Sequence, residues 1–236
     1  MSSYLKSFVF AAIMCFVCSI LLTAASSGLK EFQQKNIALD KQKNVLKSVG
    51  LIQEEQQYSP EQIETVYAEN IRTLWINGEG KIIGEKERGP KDLQVYLNVR
   101  KEQVESYIIP IETRGLWGKI FGYLAIKNDG STISGFTVYK HSETPGLGGE
   151  IEKGWFRKNF EGKKIIDSAG GLVSVSVAKG AVSEVVPKEK HPHFVDGISG
   201  ATLTGKFLST GLKEILLEYE PVSVRFRKNR ELKTEG

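Results

Sequence analysis

An uncharged run of 18 residues, Phe8–Ala25, constrains this chain more than any other feature. A run of this length can cross a bilayer as a helix, because a helix satisfies its own backbone hydrogen bonds in lipid. A secretory signal cleaved after residues 23–25 is the alternative, but the run is longer than a typical signal core. The sequence therefore favours a retained anchor, and either interpretation sends the remainder of the chain across a membrane.

The remainder of the chain has no cysteine, because Cys15 and Cys18 both lie inside the apolar run. It therefore forms no disulfide and offers no thiol as nucleophile, cluster ligand or zinc ligand. With 40% hydrophobic and 25% charged residues, the composition is that of an ordinary globular protein. A net charge of +4, without basic and aromatic residues interleaved in a recognisable module, argues against nucleic acid as a partner.

The patterns divide the chain into four parts. Residues 1–27 are the transmembrane anchor, and residues 28–58 are a helical stalk, rich in Lys, Gln and Asn with apolar residues at near-helical spacing. Residues 59–222 form the folded domain. Residues 223–236 are a basic tail, expected to be solvated, with docking to anionic lipid or to a partner as the alternative.

The folded domain is predicted to be α+β, with a mainly antiparallel sheet and flanking helices. Ser59 caps a helix that starts at Pro60. Alternating residues and turn signals predict strands near 74–77, 81–83, 107–111, 122–126, 134–139 and 172–178. Pro110 suits an edge strand, because proline has no N–H to donate to a neighbour. Trp155, Phe156 and Phe160 mark a short helix packed on the sheet.

The stretch Val195–Gly205 precedes a predicted helix whose apolar residues recur with helical period at Leu208, Leu212, Ile215, Leu216 and Tyr219. Unpaired N–H groups and the positive end of the helix dipole favour an anion at such a start. Ser199, Gly200 and Thr202 therefore lie where a phosphate would bind. For an arbitrary Ser-Gly-x-Thr string, an ordinary N-cap formed by Asp196 or Ser199 would be the better interpretation.

A second candidate site is the loop His141–Glu150, which contains three glycines and a proline. The loop could be only a tight turn. Its composition suggests more, since Glu143 and Thr144 offer polar groups and the segment Gly146, Leu147, Gly148 leaves room for a flat ring.

Two further features favour structural roles. Trp117 lies in a glycine-rich loop and is expected to pack in the core. His191 and His193, two residues apart with no cysteine and no obvious carboxylate beside them, fall short of a zinc set, so no metal site is predicted.

The string from Asp196 to Thr202, with Ser199, Gly200 and Ala201 between them, resembles the flavinylation signal Asp-x-x-Ser-Gly-Ala-Thr. In proteins with that signal, FMN is joined through its phosphate to the last Thr. The resemblance makes Thr202 the attachment residue and leaves Thr204 outside the signal.

Five stretches, in the same order, resemble the C-subunit family of bacterial sodium-translocating NADH:quinone oxidoreductases (Na+-NQR). The likeness covers most of residues 4–220, and its stretches are Leu39–Leu46, Tyr107–Pro110, Gly115–Trp117, Glu143–Gly149 and Ser199–Thr202. The last two also resemble the G subunit of Rnf-type ion-translocating complexes. Leu39–Leu46 and the Gly-Leu-Trp segment favour the former family.

The resemblance implies a single anchor at the bacterial inner membrane and a periplasmic FMN-binding domain at residues 59–222. It also implies an electron relay in a complex that couples NADH oxidation by quinone to Na+ export, with the other subunits as partners. A flavin transferase using FAD as donor would attach the cofactor. No catalytic residue and no G-x-G-x-x-G fingerprint for NADH is found in the chain, so NADH would bind elsewhere in the complex.

A membrane-anchored module that holds a free phosphate-containing ligand is the alternative of a different class. Covalent attachment of the ligand would separate the two hypotheses. The positive-inside rule speaks against a periplasmic domain, because one lysine precedes the span and several follow it.

Overall fold

The computed structural model describes residues 3–54, 56–78, 80–84 and 86–228. The chain divides into two compact units, Met1–Asp40 and Lys41–Gly236. The helices are α1 (Ser3–Ser48), α2 (Pro60–Asn70), α3 (Gly154–Lys158), α4 (Val182–Val185), α5 (Thr202–Glu218) and α6 (Glu220–Arg227). The strands are β1 (Ile71–Ile76), β2 (Ile82–Ile83), β3 (Leu93–Arg100), β4 (Gln103–Arg114), β5 (Lys119–Lys127), β6 (Ile133–Lys140), β7 (Ser176–Val177) and β8 (Phe194–Val195).

The described residues of the first unit, 3–40, lie within α1. Within the described residues, α1 is the one helix long and apolar enough to cross a membrane by length and composition. Its large apolar side chains from Tyr4 to Leu22 are exposed, as lipid-facing side chains would be. The helix continues without a break past residue 27, the predicted end of the anchor. The structure therefore does not mark that boundary, and the anchor over residues 1–27 stays a prediction.

The second unit is built on a six-stranded antiparallel sheet with the order β2-β1-β3-β4-β5-β6. This arrangement confirms the predicted α+β class and the hairpins around residues 78–80 and 128–130. Helix α2 begins at Pro60 with a capping box formed by Ser59 and Gln62, also as predicted.

The prediction that Pro110 marks an edge strand is wrong. Pro110 lies on β4, between β3 and β5, and pairs with Tyr123 of β5. The residue pairs between β3 and β4 end at Tyr96 and Ile108. The missing N–H of Pro110 is tolerated because the β3 ladder has stopped before it.

The sheet is covered on both faces. Successive strand residues point to opposite faces, and Phe136 and Val138 join the core cluster that contains Leu208, Leu212 and Leu216 of α5. The alternate residue Thr137 donates to the carbonyl of Asn44 at 3.3 Å on the other face, where Val45 and Leu46 are buried. The end of the predicted stalk is therefore part of the folded domain.

The strand predicted over Leu172–Ala178 is mostly absent. Only Ser176 and Val177 pair, in parallel with β8, and Leu172 forms an isolated bridge with Ile166. Ser174 has a φ of +67°, which no strand accommodates, so the alternating pattern is broken at its centre. Strand β8, which the sequence did not predict, leads into the loop before α5.

The expectation of a solvated basic tail is wrong for residues 223–227. These residues belong to α6, where Arg225 donates to the carbonyl of Gly80 at 2.5 Å and Arg227 donates to that of Gly130 at 3.1 Å. Phe226 is buried and stacks on Tyr107 with 4.5 Å between ring centroids. Residues 229–236 of the predicted tail lie outside the described residues.

Candidate functional site

The start of α5 presents an exposed hydroxyl. The helix begins at Thr202 after Ala201, and within the described residues no side chain caps it. Thr202 is exposed, whereas the stripe from Leu208 to Leu216 is buried, as its spacing predicts. The first N–H groups of α5, beside Thr202, therefore have no side-chain acceptor within the protein. Free N–H groups at a helix start suit a phosphate.

The turn before α5 brings the two candidate stretches together. Ser199 and Gly200 are exposed, and Gly200 has a φ of +74°. A Cβ placed on Gly200 would lie 2.7 Å from a methyl carbon of Leu147, so the glycine allows close approach of the loop. The structure thus places Leu147, predicted from one stretch, against Gly200, predicted from the other.

The Glu143–Gly149 loop has an open outer side. Leu147 and Gly149 donate to the carbonyl of Thr144 at 3.1 and 2.9 Å, which closes the turn. Thr144 and Leu147 are exposed, and a Cβ on Gly146, whose φ is +74°, would meet no atom within 4 Å. A flat ring can therefore lie on this side of the loop, as the composition predicts.

Glu143 takes a different place from the one expected. Its side chain is only 5% exposed, and its carboxylate accepts from the Thr204 hydroxyl at 2.5 Å and from the Trp117 N–H at 3.0 Å. Both oxygens are thus used within the protein, so the carboxylate faces the first turn of α5 instead of the open side of the loop.

Trp117 is not a core residue, contrary to the prediction. Its side chain is 69% exposed although its backbone is held by Glu143. With Leu147 and Leu203, which are 43% and 51% exposed, it belongs to a set of large apolar side chains left in solvent. The sequence carried a signal for this, since Trp117 stands in the run Gly115-Leu116-Trp117-Gly118, which has too few apolar neighbours to bury it.

Asp196 holds the loop before α5 in place. Its carboxylate accepts from the N–H of Val182 at 2.7 Å and so ties the loop before α5 to the start of α4. Asp196 is not an N-cap of α5, because the helix starts six residues later. Thr204 is the residue that sequence reasoning left out of the site, and its spacing of two from Thr202 was the available signal.

The three histidines of the chain make hydrogen bonds within the protein. His141 lies 3.2 Å from Glu152, and its Nδ1 accepts from the N–H of Glu143 at 3.1 Å. Burial raises the pKa of Glu152, but hydrogen bonds from Lys153 and His141 and the charge of Lys153 lower it more, so the pKa is below its usual value. His191 and His193 bond to the carbonyls of Val186 and Lys164. Within the described ranges, no group of three His, Cys, Asp or Glu side chains could hold a metal ion.

The chain is similar to known proteins over most of its length. A family model described as an FMN-binding domain matches residues 115–217, which include the loop and the start of α5. The chain is 34% identical over 229 residues to the C subunit of the Na(+)-translocating NADH-quinone reductase of Yersinia pestis, covering 84% of this chain and 83% of that protein. The corresponding C subunit from Neisseria meningitidis serogroup B is 34% identical over 221 residues, with 80% and 81% covered.

The chain belongs to the C-subunit family of Na(+)-translocating NADH-quinone reductases.

Solved structures of this family support the fold. The crystal structure of the C subunit of the Na(+)-translocating NADH-quinone reductase from Parabacteroides distasonis matches with a TM-score of 0.70 and 31% identity, covering 83% of this chain and 96% of that one. Shewanella oneidensis NqrC, at 24% identity and a TM-score of 0.66, shares the fold. The stretches Glu143–Gly149 and Ser199–Thr202 alone could not distinguish this family from the G subunit of Rnf-type complexes. Membership of the C-subunit family decides between the two.

The residues at the start of α5 fit FMN as the cofactor of the C-subunit family. An uncapped helix start, as at Ala201 and Thr202, favours a phosphate, and a flat, partly apolar surface suits an isoalloxazine ring. The open side of Gly146 and the exposed Leu147 supply that surface next to Gly200.

Proposed function

We propose that this chain carries electrons through FMN joined by its phosphate to the hydroxyl of Thr202, within a complex that couples NADH oxidation by quinone to Na+ export. One observation carries the proposal. The Thr202 hydroxyl is exposed at an uncapped start of a 17-residue helix, beside a glycine-rich loop that meets it through Leu147 and Gly200.

The attachment is a group transfer with FAD as the donor and a flavin transferase as the enzyme. The Thr202 oxygen forms a bond to the phosphorus on the FMN side of the FAD pyrophosphate. The bond from that phosphorus to the bridging oxygen breaks, AMP leaves with that oxygen, and the hydroxyl proton passes to the transferase or to solvent. No electrons are exchanged in this step.

In the flavinylated protein, Thr202 fixes the position of FMN and takes no part in electron transfer. The phosphodiester keeps one negative charge, which the first N–H groups and the dipole of α5 stabilise by about 0.3–1 kcal/mol at an exposed helix end. Lys206, exposed one turn further along α5, lies at the i+4 position from Thr202 and adds a positive charge on that side.

FMN, when bound, supplies the one- and two-electron chemistry of the relay. The chain's own residues place it. Gly146 and Gly200, both with positive φ, keep side chains out of the space between the loop and α5, while Leu147 offers an apolar contact. Because the sequence contains no fingerprint for NADH, the electrons come from elsewhere in the complex.

The membrane arrangement completes the proposal. We take residues 8–25 as a single membrane span in the inner membrane, with the FMN-binding domain in the periplasm. The length and apolar character of α1 support the span. The absence of cysteine from the sequence after Cys18 suits an oxidising compartment.

Replacement of the acceptor residue tests the proposal. The full-length protein is produced with the transferase, and covalent flavin is measured by fluorescence after denaturing electrophoresis and by mass spectrometry of the flavin peptide. Thr202→Ala should fold and carry no flavin, because it removes only an exposed hydroxyl. Thr204→Ser, which keeps the buried hydroxyl, is the matched control and should carry flavin at Thr202. Covalent flavin on Thr202→Ala would show that the assignment is wrong.

A further inference from the structure

The buried carboxylate of Glu143 joins three separate segments of the chain at the back of the site. It accepts from the hydroxyl of Thr204 in α5 and from the N–H of Trp117 in the loop between β4 and β5, and it belongs itself to the loop after β6. We name this arrangement, formed by Glu143, Thr204 and the Trp117 N–H, the Glu143 clasp. Hydrogen bonds that are shielded from water, as these are, are electrostatically stronger than exposed ones.

Two glycines leave room for the clasp. A Cβ on Gly115 would lie 2.5 Å from one carboxylate oxygen of Glu143. A Cβ on Gly148 would lie 2.6 Å from the other oxygen and 2.6 Å from the Thr204 hydroxyl. Any other residue at either position would force the clasp apart, so these glycines are explained by the carboxylate and not by the turn alone.

The backbone of Glu143 is fixed as well as its side chain. Its N–H donates to Nδ1 of His141 at 3.1 Å, and Nε2 of His141 lies 3.2 Å from Glu152. Nδ1 is therefore the acceptor nitrogen, and the ring proton is on Nε2, toward Glu152. The clasp is attached to the end of β6 through this ring.

Thr202 and Thr204 point to different sides of α5. Residues two apart on a helix are separated by about 200°, so the two side chains lie on nearly opposite faces of α5. Thr204 is 1% exposed and its hydroxyl proton is donated to Glu143, whereas Thr202 is exposed and caps nothing. The orientation of the first turn of α5 thus depends on which threonine the carboxylate holds.

We propose that Glu143 is a positioning residue for flavin attachment. By holding Thr204, it fixes the rotation of the first turn of α5, directs the Thr202 hydroxyl outward to the transferase, and aligns the loop on which the ring lies. This inference rests on the proposed function, since it concerns how the attachment residue is presented. It also predicts that Thr204, which is held inward two residues from the acceptor, stays unmodified.

The experiment compares substitutions that remove or keep the hydrogen bond from Thr204 to Glu143. Thr204→Val keeps the volume and removes the donor, Thr204→Ser keeps the donor, and Glu143→Ala removes the acceptor. Thr210→Val is the matched control, because Thr210 is exposed further along the same helix and the substitution removes a hydroxyl that bonds to the Lys206 carbonyl. Full-length detergent-solubilised protein is incubated with FAD and limiting transferase, and the initial rate of covalent flavin incorporation is measured.

We expect Thr204→Val and Glu143→Ala to lower the initial rate roughly tenfold, which is about 1.4 kcal/mol in activation free energy. Thr204→Ser and Thr210→Val should stay within about twofold of the unchanged protein on the same scale. The visible circular dichroism of the attached flavin, which reports the setting of the ring, should change in Thr204→Val and recover in Thr204→Ser. A merely structural role would lower the melting temperature without moving this signal.

Attachment to Thr204→Val at the rate of the unchanged protein, with the same dichroism, would overturn the proposal. Equal losses in Thr204→Val and Thr204→Ser would also overturn it, because the hydroxyl would then be irrelevant. If Glu143→Ala does not fold, the Val and Ser pair at position 204 decides. Flavin found at a residue other than Thr202 in the unchanged protein would refute the proposed function instead.

Discussion

Helix α5 is held against the sheet at one point where no side chain fits, and replacing Gly211 with alanine should break that contact. The Cβ of alanine at 211 would lie 1.5 Å from the hydroxyl oxygen of Thr113 on β4 and 2.4 Å from the Thr113 Cβ. An ordinary contact is about 3.4–4 Å, as Cβ atoms pack at van der Waals distance. A rotation of the threonine side chain removes the first conflict but not the second, so the backbone of α5 must move.

The size of the effect follows from two opposing contributions. Alanine in place of glycine favours a helix by about 1 kcal/mol. Overpacking of a tight interior site costs about 3 kcal/mol at the upper end of its usual range, which this backbone conflict warrants. The net loss in unfolding free energy is about 2 kcal/mol, or a melting temperature lower by about 4–8 °C for a domain of this size.

Thermal unfolding of the flavin-free protein, followed by tryptophan fluorescence, measures this difference. Thr210→Ala is the control, because Thr210 is exposed on the neighbouring position of the same helix and should leave the melting temperature within about 2 °C. Adding Thr113→Gly to Gly211→Ala removes the conflicting atoms, so the double variant should lose less than the sum of the single losses. An unchanged or raised melting temperature in Gly211→Ala would refute the close packing.

Three further predictions concern other parts of the molecule. Phe226→Ala removes the ring stacked on Tyr107 and should lower the unfolding free energy by about 3–5 kcal/mol, measured by urea titration; a loss below about 1 kcal/mol would place α6 off the core. Burial raises the pKa of Asp129, but hydrogen bonds from the Thr132 side chain and from N–H groups lower it more. Because the side chain is 43% exposed and solvent weakens its contacts, Asp129→Asn should lower the unfolding free energy by at most about 1 kcal/mol at pH 7, and by progressively less as the pH falls through the lowered pKa; a loss independent of pH would contradict this. Lys188→Cys, at an exposed position, should react with a membrane-impermeant maleimide in intact spheroplasts, and labelling only after permeabilisation would place the domain in the cytoplasm.

Local patterns predicted the elements whose sequence period is long and unbroken. The buried stripe of α5, the cap of α2 and the β5–β6 hairpin each depend on neighbours within a few residues, and the structure confirms them. The alternating run over residues 172–178 failed because a single positive φ at Ser174 cancels the alternation, and no side-chain pattern records a backbone angle. Pro110 failed because the end of the β3 ladder depends on strand lengths elsewhere in the sheet.

The exposed residues of the candidate site could be predicted from the sequence, but the buried contacts that hold them in place could not. The positions of Thr202 and of the open glycine loop follow from residue types that act on a ligand. The role of Glu143 follows from its contact with Thr204, which is 61 residues away in the sequence, and no spacing rule links positions so far apart. The same holds for Arg225, whose carbonyl partner Gly80 lies 145 residues earlier.

The packing of α6 has a consequence for the order of events in the cell. The ring of Phe226 and the hydroxyl contact between Tyr107 and Ser223 at 2.7 Å close the core with almost the last described residues of the chain. A growing polypeptide therefore leaves this part of the core open until α6 has been synthesised. A chain that stops before α6 lacks these contacts with Tyr107, so modification at Thr202 should follow the synthesis and docking of α6.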